Sequence, residues 1–265
     1  MTALVGLDLA WTAYRPSGIC IVEADPQHAR VIALRSEVVS PASLAQELAA
    51  MGLSVVAAID APLIIHHGRY AERALGRVFG RFHAGAYTAS EEFLRDMNGL
   101  AGPRLAEELR SRGFVLDPHL ITAGGGGRFA FEMYPHAAHV VLFGLDHILR
   151  YKKGRVARRR EELRVYQGLL AAEAARQRLD GGEHLARVFA PSATEARGRG
   201  LKALEDELDA LTCALVALRA WRLGPSGFVV FGCTAHGYIL TPGLPRGVTG
   251  APETCPTCAP ARPSP

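Results

Sequence analysis

The sequence predicts an α/β domain built on one mixed five-stranded sheet flanked by helices, with a helical insertion. Three observations carry this. Short apolar runs of strand length occur at 3–9, 19–22 and 54–60. The last run is continuous rather than alternating, as a central strand covered on both faces requires. The order is also specific: three strands in a meander, then a helix and a returning strand, which describes antiparallel pairing followed by a parallel crossover.

Each element follows from local chemistry. Arg15-Pro16-Ser17-Gly18 is a turn signal between the first two strands, and 31–39 supplies a third. Ser40-Pro41 opens an amphipathic helix to about Met51, with Ser40 as N-cap and Pro41 at the first helical position, and Gly52 stops it. Residues 66–127 are charged and helical in pattern (91–97, 103–112) and end in Gly124-Gly125-Gly126-Gly127, which reads as an insertion hinged by that glycine run. Residues 129–134 return to strand and Pro135 begins another helix. Long helices follow at about 158–178 and 201–222, and 228–231 with 237–240 form a closing hairpin. The domain spans 1–243, and the proline- and glycine-rich stretch 244–265 is expected to be a disordered tail.

Composition narrows the class. A chain of 265 residues, 49% of them hydrophobic, can bury one large core. It has no apolar run of the ~18 residues a membrane span needs. Its first residues lack the basic-then-apolar pattern of a signal peptide. Cys20 and Cys213 sit in apolar segments and read as buried thiols, so a cytoplasmic location is expected. The net charge of +4 is too small to name a partner by itself.

The informative residues are single acids in apolar surroundings. Asp8 ends one strand, Asp60 ends another and Glu132 lies in a third. A buried carboxylate is costly unless paired or bound to a cation. Hard cations such as Mg²⁺ take oxygen ligands from several elements. Asp206 and Asp209, three apart on the late helix, share a face, and Asp209 is bracketed by Leu208, Ala210 and Leu211. Any one of these acids has a bland reading as a turn former or solvated charge. Together they can converge at one sheet edge, where two metals about 4 Å apart would serve phosphodiester hydrolysis.

These residues fall in segments that resemble the domain-of-unknown-function 429 family: Gly6-Leu7-Asp8-Leu9-Ala10-Trp11, Ala58-Ile59-Asp60-Ala61-Pro62-Leu63, Phe131-Glu132-Met133-Tyr134-Pro135-His136-Ala137 and Lys202 to Leu211, with Tyr151-Lys152-Lys153-Gly154 and Gly237 to Pro242. The resemblance covers roughly 1–243. It implies a ribonuclease H-like fold, similar in layout to Holliday-junction resolvases, and a nuclease that uses two Mg²⁺ or Mn²⁺ ions. It further implies that Asp8 bridges both ions, that Asp60 takes the fourth-strand position, and that Asp206 or Asp209 takes the final-helix position. Glu132 is implied as an extra ligand or a structural acid.

A basic stretch points to a polyanionic partner. Arg150, Lys152, Lys153, Arg155, Arg158, Arg159 and Arg160 lie together without an acid, which suits phosphate contacts; the opposing reading is a solvated helix start. Lys152, Lys153, Arg155, Arg158 and Arg159 are therefore candidate nucleic-acid contacts. Arg69, Arg73, Arg77 and Arg81 recur every four residues and offer a second guiding face. His136, four residues beyond Glu132, is a candidate general acid, although such histidines more often only begin a helix. Cys233 and His236, then Cys255 and Cys258 after 18 residues, have the spacing of a structural zinc site. The proline-rich setting of the second pair tips the balance against zinc. Two other readings stay open: an actin-like or sugar-kinase-type ATP-binding protein, for which the Trp11-Thr12-Ala13-Tyr14 loop is a poor phosphate cradle, and a non-catalytic nucleic-acid-binding protein. A symmetric substrate would suit a homodimer, but no interface is legible.

Overall fold

The computed structural model describes residues 1–12 and 14–250 together with Cys255 and Cys258. The elements run in the order β1 (Thr2–Asp8), β2 (Ser17–Ala24), β3 (Ala29–Glu37), α1 (Pro41–Ala50), β4 (Ser54–Ile59), α2 (Ala71–Phe79), α3 (Glu91–Asp96), α4 (Ala101–Ser111) and β5 (Gly127–Glu132). There follow α5 (Pro135–Phe143), α6 (Val156–Arg176), β6 (Leu179–Asp180), α7 (Gly182–Phe189), α8 (Arg199–Leu223), β7 (Val229–Cys233) and β8 (Gly237–Thr241).

The main sheet has the order β5-β4-β1-β2-β3-β6. β1, β2 and β3 form the antiparallel meander, while β4 and β5 add in parallel on the other side of β1. This is the mixed, ribonuclease H-like sheet that the sequence predicts, extended by the two-residue β6 at the β3 edge. The α1 start is also as read: the Ser40 hydroxyl accepts a hydrogen bond from the Ser43 N–H at 3.1 Å, and Pro41 occupies the first turn.

The central strands alternate between two apolar layers. Val5, Leu7, Val55 and Ile59 pack against Leu44 and Leu48 of α1 and Leu105 and Leu109 of α4. Leu4, Val56, Ala58 and Phe131 face Leu208, Leu211 and Leu215 of α8, with Tyr151 and Tyr166. Burying each such leucine contributes about 2 kcal/mol. Because both faces are covered, α8 is buried almost all round.

The packing revises two expectations. α4 pairs with α1 on the sheet, so it serves as the crossover helix that joins the parallel strands β4 and β5. The glycine run is pinned rather than hinged: the Gly124 N–H donates to the Trp221 carbonyl at 2.7 Å, and Trp221 Nε1 donates back to the Gly125 carbonyl at 3.0 Å. Of the stretch read as a disordered tail, Leu244 packs against the α2–hairpin cluster. Residues 251–254, 256–257 and 259–265 lie outside the described residues. Among the described residues, no helix is long and apolar enough to cross a membrane.

Candidate active site

The site forms where β1 and β4 end side by side. Leu7 and Ile59 are paired in the parallel register, and the Asp60 N–H donates to the Leu7 carbonyl at 2.8 Å. Asp8 and Asp60 therefore leave adjacent strands together and line the same cavity.

Helix α8 supplies the second pair of acids by lying directly on the strands. A Cβ at Gly6 would stand 2.0 Å from the Ala210 carbonyl oxygen, and one at Gly18 would stand 2.0 Å from that of Asp206. Only glycine permits this approach. It brings Asp206 and Asp209, both buried, against the strand-end acids.

The four acids have different surroundings. Asp209 is the best compensated: Tyr151 donates to its Oδ1 at 2.6 Å, Tyr166 donates to the same oxygen at 3.0 Å, and the Lys152 ammonium forms an ion pair with Oδ2 at 2.6 Å. Burial would push its carboxyl up, but the Lys152 charge and these hydrogen bonds hold it down at about 2. Asp206 pairs with Lys202 and accepts from the Ser36 hydroxyl at 3.2 Å. Asp8 and Asp60 are less well compensated. Burial first, and then the neighbouring carboxylates, push Asp8 well above the usual range despite the Lys152 charge. Burial and Asp209 likewise push Asp60 up to about 7, again against Lys152. Two neighbouring buried carboxyls with insufficient opposite charge are therefore held toward their neutral forms.

Asp8, Asp60 and Asp206 open on a cavity of about 1100 Å³. Aromatic side chains at Trp11, Tyr87 and Tyr134 and cationic ones at Arg15, Lys153 and Arg158 line it. His136 also faces this space, and its Nδ1 has no hydrogen-bond partner among the described residues. Burial and then the Lys152 charge lower its pKa to about 4. It is thus neutral near pH 7, which corrects the general-acid expectation: its ring can accept a proton or orient a group but does not arrive carrying the extra proton.

Other predicted site residues are spent elsewhere. Glu132 ends β5 beside Ile59, but its carboxylate is taken by Arg69, with Nη1 to Oε2 at 3.1 Å, and by the Leu63 N–H at 3.0 Å. Of the two readings of Glu132, further ligand or structural acid, this buried ion pair supports the structural one. Arg69 also binds Glu72 at 2.7 Å, and Arg73 and Arg77 lean over the Tyr70 ring, so the four-residue arginine spacing does not make one guiding face. Within the basic stretch, Lys152 belongs to the acid cluster and Arg159 to Glu205 and the Tyr151 carbonyl. Lys153 and Arg158 line the cavity, and Arg155 is exposed at the start of α6.

The sequence reading missed Lys202, Trp11, Tyr87 and Tyr134 as members of the site. Lys202 was visible in retrospect: four residues before Asp206 on a helix, it had to reach that acid.

No curated protein sequence matches the chain. Among solved structures, the yeast mitochondrial Holliday junction resolvase Ydc2 is similar over 82% of this chain and 80% of that one, at 11% identity and a TM-score of 0.35. Residues 6–226 match the family described as "Protein of unknown function (DUF429)". A match over that much of the sequence, taking in all four clustered acids, makes the chain a member of the DUF429 family.

Proposed function

We propose that this protein is a metal-dependent nuclease that hydrolyses phosphodiester bonds of nucleic acid with Mg²⁺ or Mn²⁺. The observation that carries this reading is the placement of Asp8 and Asp60 at adjoining strand ends, where they line an aromatic and cationic cavity together with Asp206.

The donor set fits hard cations, since it consists of carboxylate oxygens. Four acids face the two ammonium groups of Lys152 and Lys202. With all four ionised, as cation binding would leave them, the deficit equals one divalent charge, so a second ion fits best when it arrives with a substrate phosphate. Asp8, Asp60 and Asp206 are the proposed ligands. Asp209, hydrogen-bonded at Oδ1 by Tyr151 and Tyr166, pairs through Oδ2 with the Lys152 ammonium and holds it in place instead. When bound, the ions supply an activated water and stabilise charge on the phosphate and the leaving oxygen. The chain's own residues do the rest. Lys153 and Arg158 neutralise flanking phosphates, and Trp11, Tyr87 and Tyr134 offer ring faces on which bases can stack.

The test is cleavage of linear and branched DNA and RNA with Mg²⁺ or Mn²⁺, comparing wild type with Asp8→Asn. Asp8→Asn should lower cleavage by roughly a thousandfold or more while leaving the circular dichroism spectrum intact. Metal-dependent cleavage that survives this change overturns the assignment.

A further inference from the structure

Away from the acid cluster, the turn between β7 and β8 brings together the four residues for which the sequence alone disfavoured a metal. Cys233 ends β7 and His236 lies two residues short of Tyr238, in a turn made possible by Gly232 and Gly237 at φ of 100° and 104°. Cys255 and Cys258 face them, and the Cys258 N–H donates to the Cys255 carbonyl at 3.0 Å.

The distances are those of a coordination sphere. Nδ1 of His236 lies 3.5 Å from Cys233 Sγ, 3.6 Å from Cys255 Sγ and 3.5 Å from Cys258 Sγ. All four ligand atoms lie within 4.8 Å of one another. A tetrahedron with Zn–S bonds of about 2.3 Å and a Zn–N bond of about 2.0–2.1 Å has N-to-S edges of about 3.6 Å and S-to-S edges of about 3.8 Å. The three histidine-to-sulfur edges agree with this. Cys233 and Cys258, 3.2 Å apart, are closer than the tetrahedral edge. None of the three cysteines is in a disulfide among the described residues.

We propose that Cys233, His236, Cys255 and Cys258 bind one zinc ion in a closed structural site. Thiolate and imidazole select a softer cation than the carboxylates of the cavity do. Four protein ligands leave no open position for substrate, so the role is structural. None of the four lines the cavity, so this site and the carboxylate site are separate. The His236 ring packs on His66 with centroids 4.3 Å apart, which fixes its orientation. Nδ1 of His66 already accepts the Gly68 N–H at 2.9 Å and does not compete as a ligand.

The site reaches the rest of the fold through Arg69. Its guanidinium lies against Gly237, where a Cβ would stand 2.4 Å from Nη1, and it donates to the Ile64 carbonyl at 2.8 Å. Ile64 follows Asp60 in the same loop. The ion therefore fastens Cys255 and Cys258 to a turn that supports the segment leaving the acid cluster.

The experiment is metal analysis of the reduced full-length protein, with Cys255→Ser/Cys258→Ser as the variant. Wild type should carry one zinc per chain, and the variant should lose most of it while keeping its far-ultraviolet circular dichroism. Cobalt titrated into stripped wild type should give the visible bands of a tetrahedral thiolate site, a readout that does not depend on how the variant folds. A wild-type protein that takes up neither zinc nor cobalt overturns the proposal. So does a variant that retains its zinc. None of these outcomes depends on nuclease activity.

Discussion

At the scale of single residues, the site is a problem of unbalanced charge. Asp60 shows its consequence for stability. Its carboxyl is raised in the fold from an ordinary 3.8 to about 7, so it favours the folded state fully below pH 3.8 and loses that contribution as pH rises through 7. In chelator-treated protein, Asp60→Asn should therefore raise the melting temperature at pH 8 and leave it nearly unchanged at pH 4. An equal change at both pH values would show that the carboxyl is not held in its neutral form. The same protonation should weaken Mg²⁺ binding below pH 7, measurable by calorimetry as proton release on binding. Asp209 behaves in the opposite sense. Held at about 2, it stabilises the fold above its ordinary range and gives this up only in strong acid.

At the scale of elements, the decisive contact is α8 on β1 and β2. Gly6→Ala or Gly18→Ala must push a Cβ into the helix backbone, and overpacking of this kind costs about 3 kcal/mol. Thermal unfolding should report that loss, and metal affinity should fall with it, because Asp206 and Asp209 ride on the displaced helix. A variant with unaltered stability would mean that α8 can slide freely. This element also shows what was legible in sequence. The strands, the start of α1, the late helix and the four clustered acids could be read because apolar periodicity and single carboxylates are local signals. The commitment of Glu132 to Arg69 was not legible, since the partners are 63 residues apart and only the folded chain decides which acid receives a guanidinium. The pairing of Lys152 was hidden for the same reason: in the sequence it is one cation in a basic run, and the fold sets it beside Asp209 while it still lines the cavity. The α4 segment looked like an insertion because its charged outer face hid the leucine stripe that meets α1.

At the scale of the whole molecule, cationic side chains are divided between structure and surface. Arg159 and Arg69 are consumed by internal ion pairs, whereas Lys153 and Arg158 line the cavity along with Arg15 and Arg150. If a nucleic acid lies there, Lys153→Ala/Arg158→Ala should lower the slope of log affinity against log salt by about 2, equally for different sequences. Filter binding across a salt series would measure this, and an unchanged slope would place the substrate elsewhere.

The glycine contacts beneath the site also bear on how the protein can diverge. Two positions with no side chain hold a helix and two strands in one register, so a drift to alanine at either removes the geometry of four acids at once without touching any of them. A related chain that keeps every carboxylate but has lost Gly6 or Gly18 should have lost this arrangement, and inspection of the acids alone would misjudge it as intact.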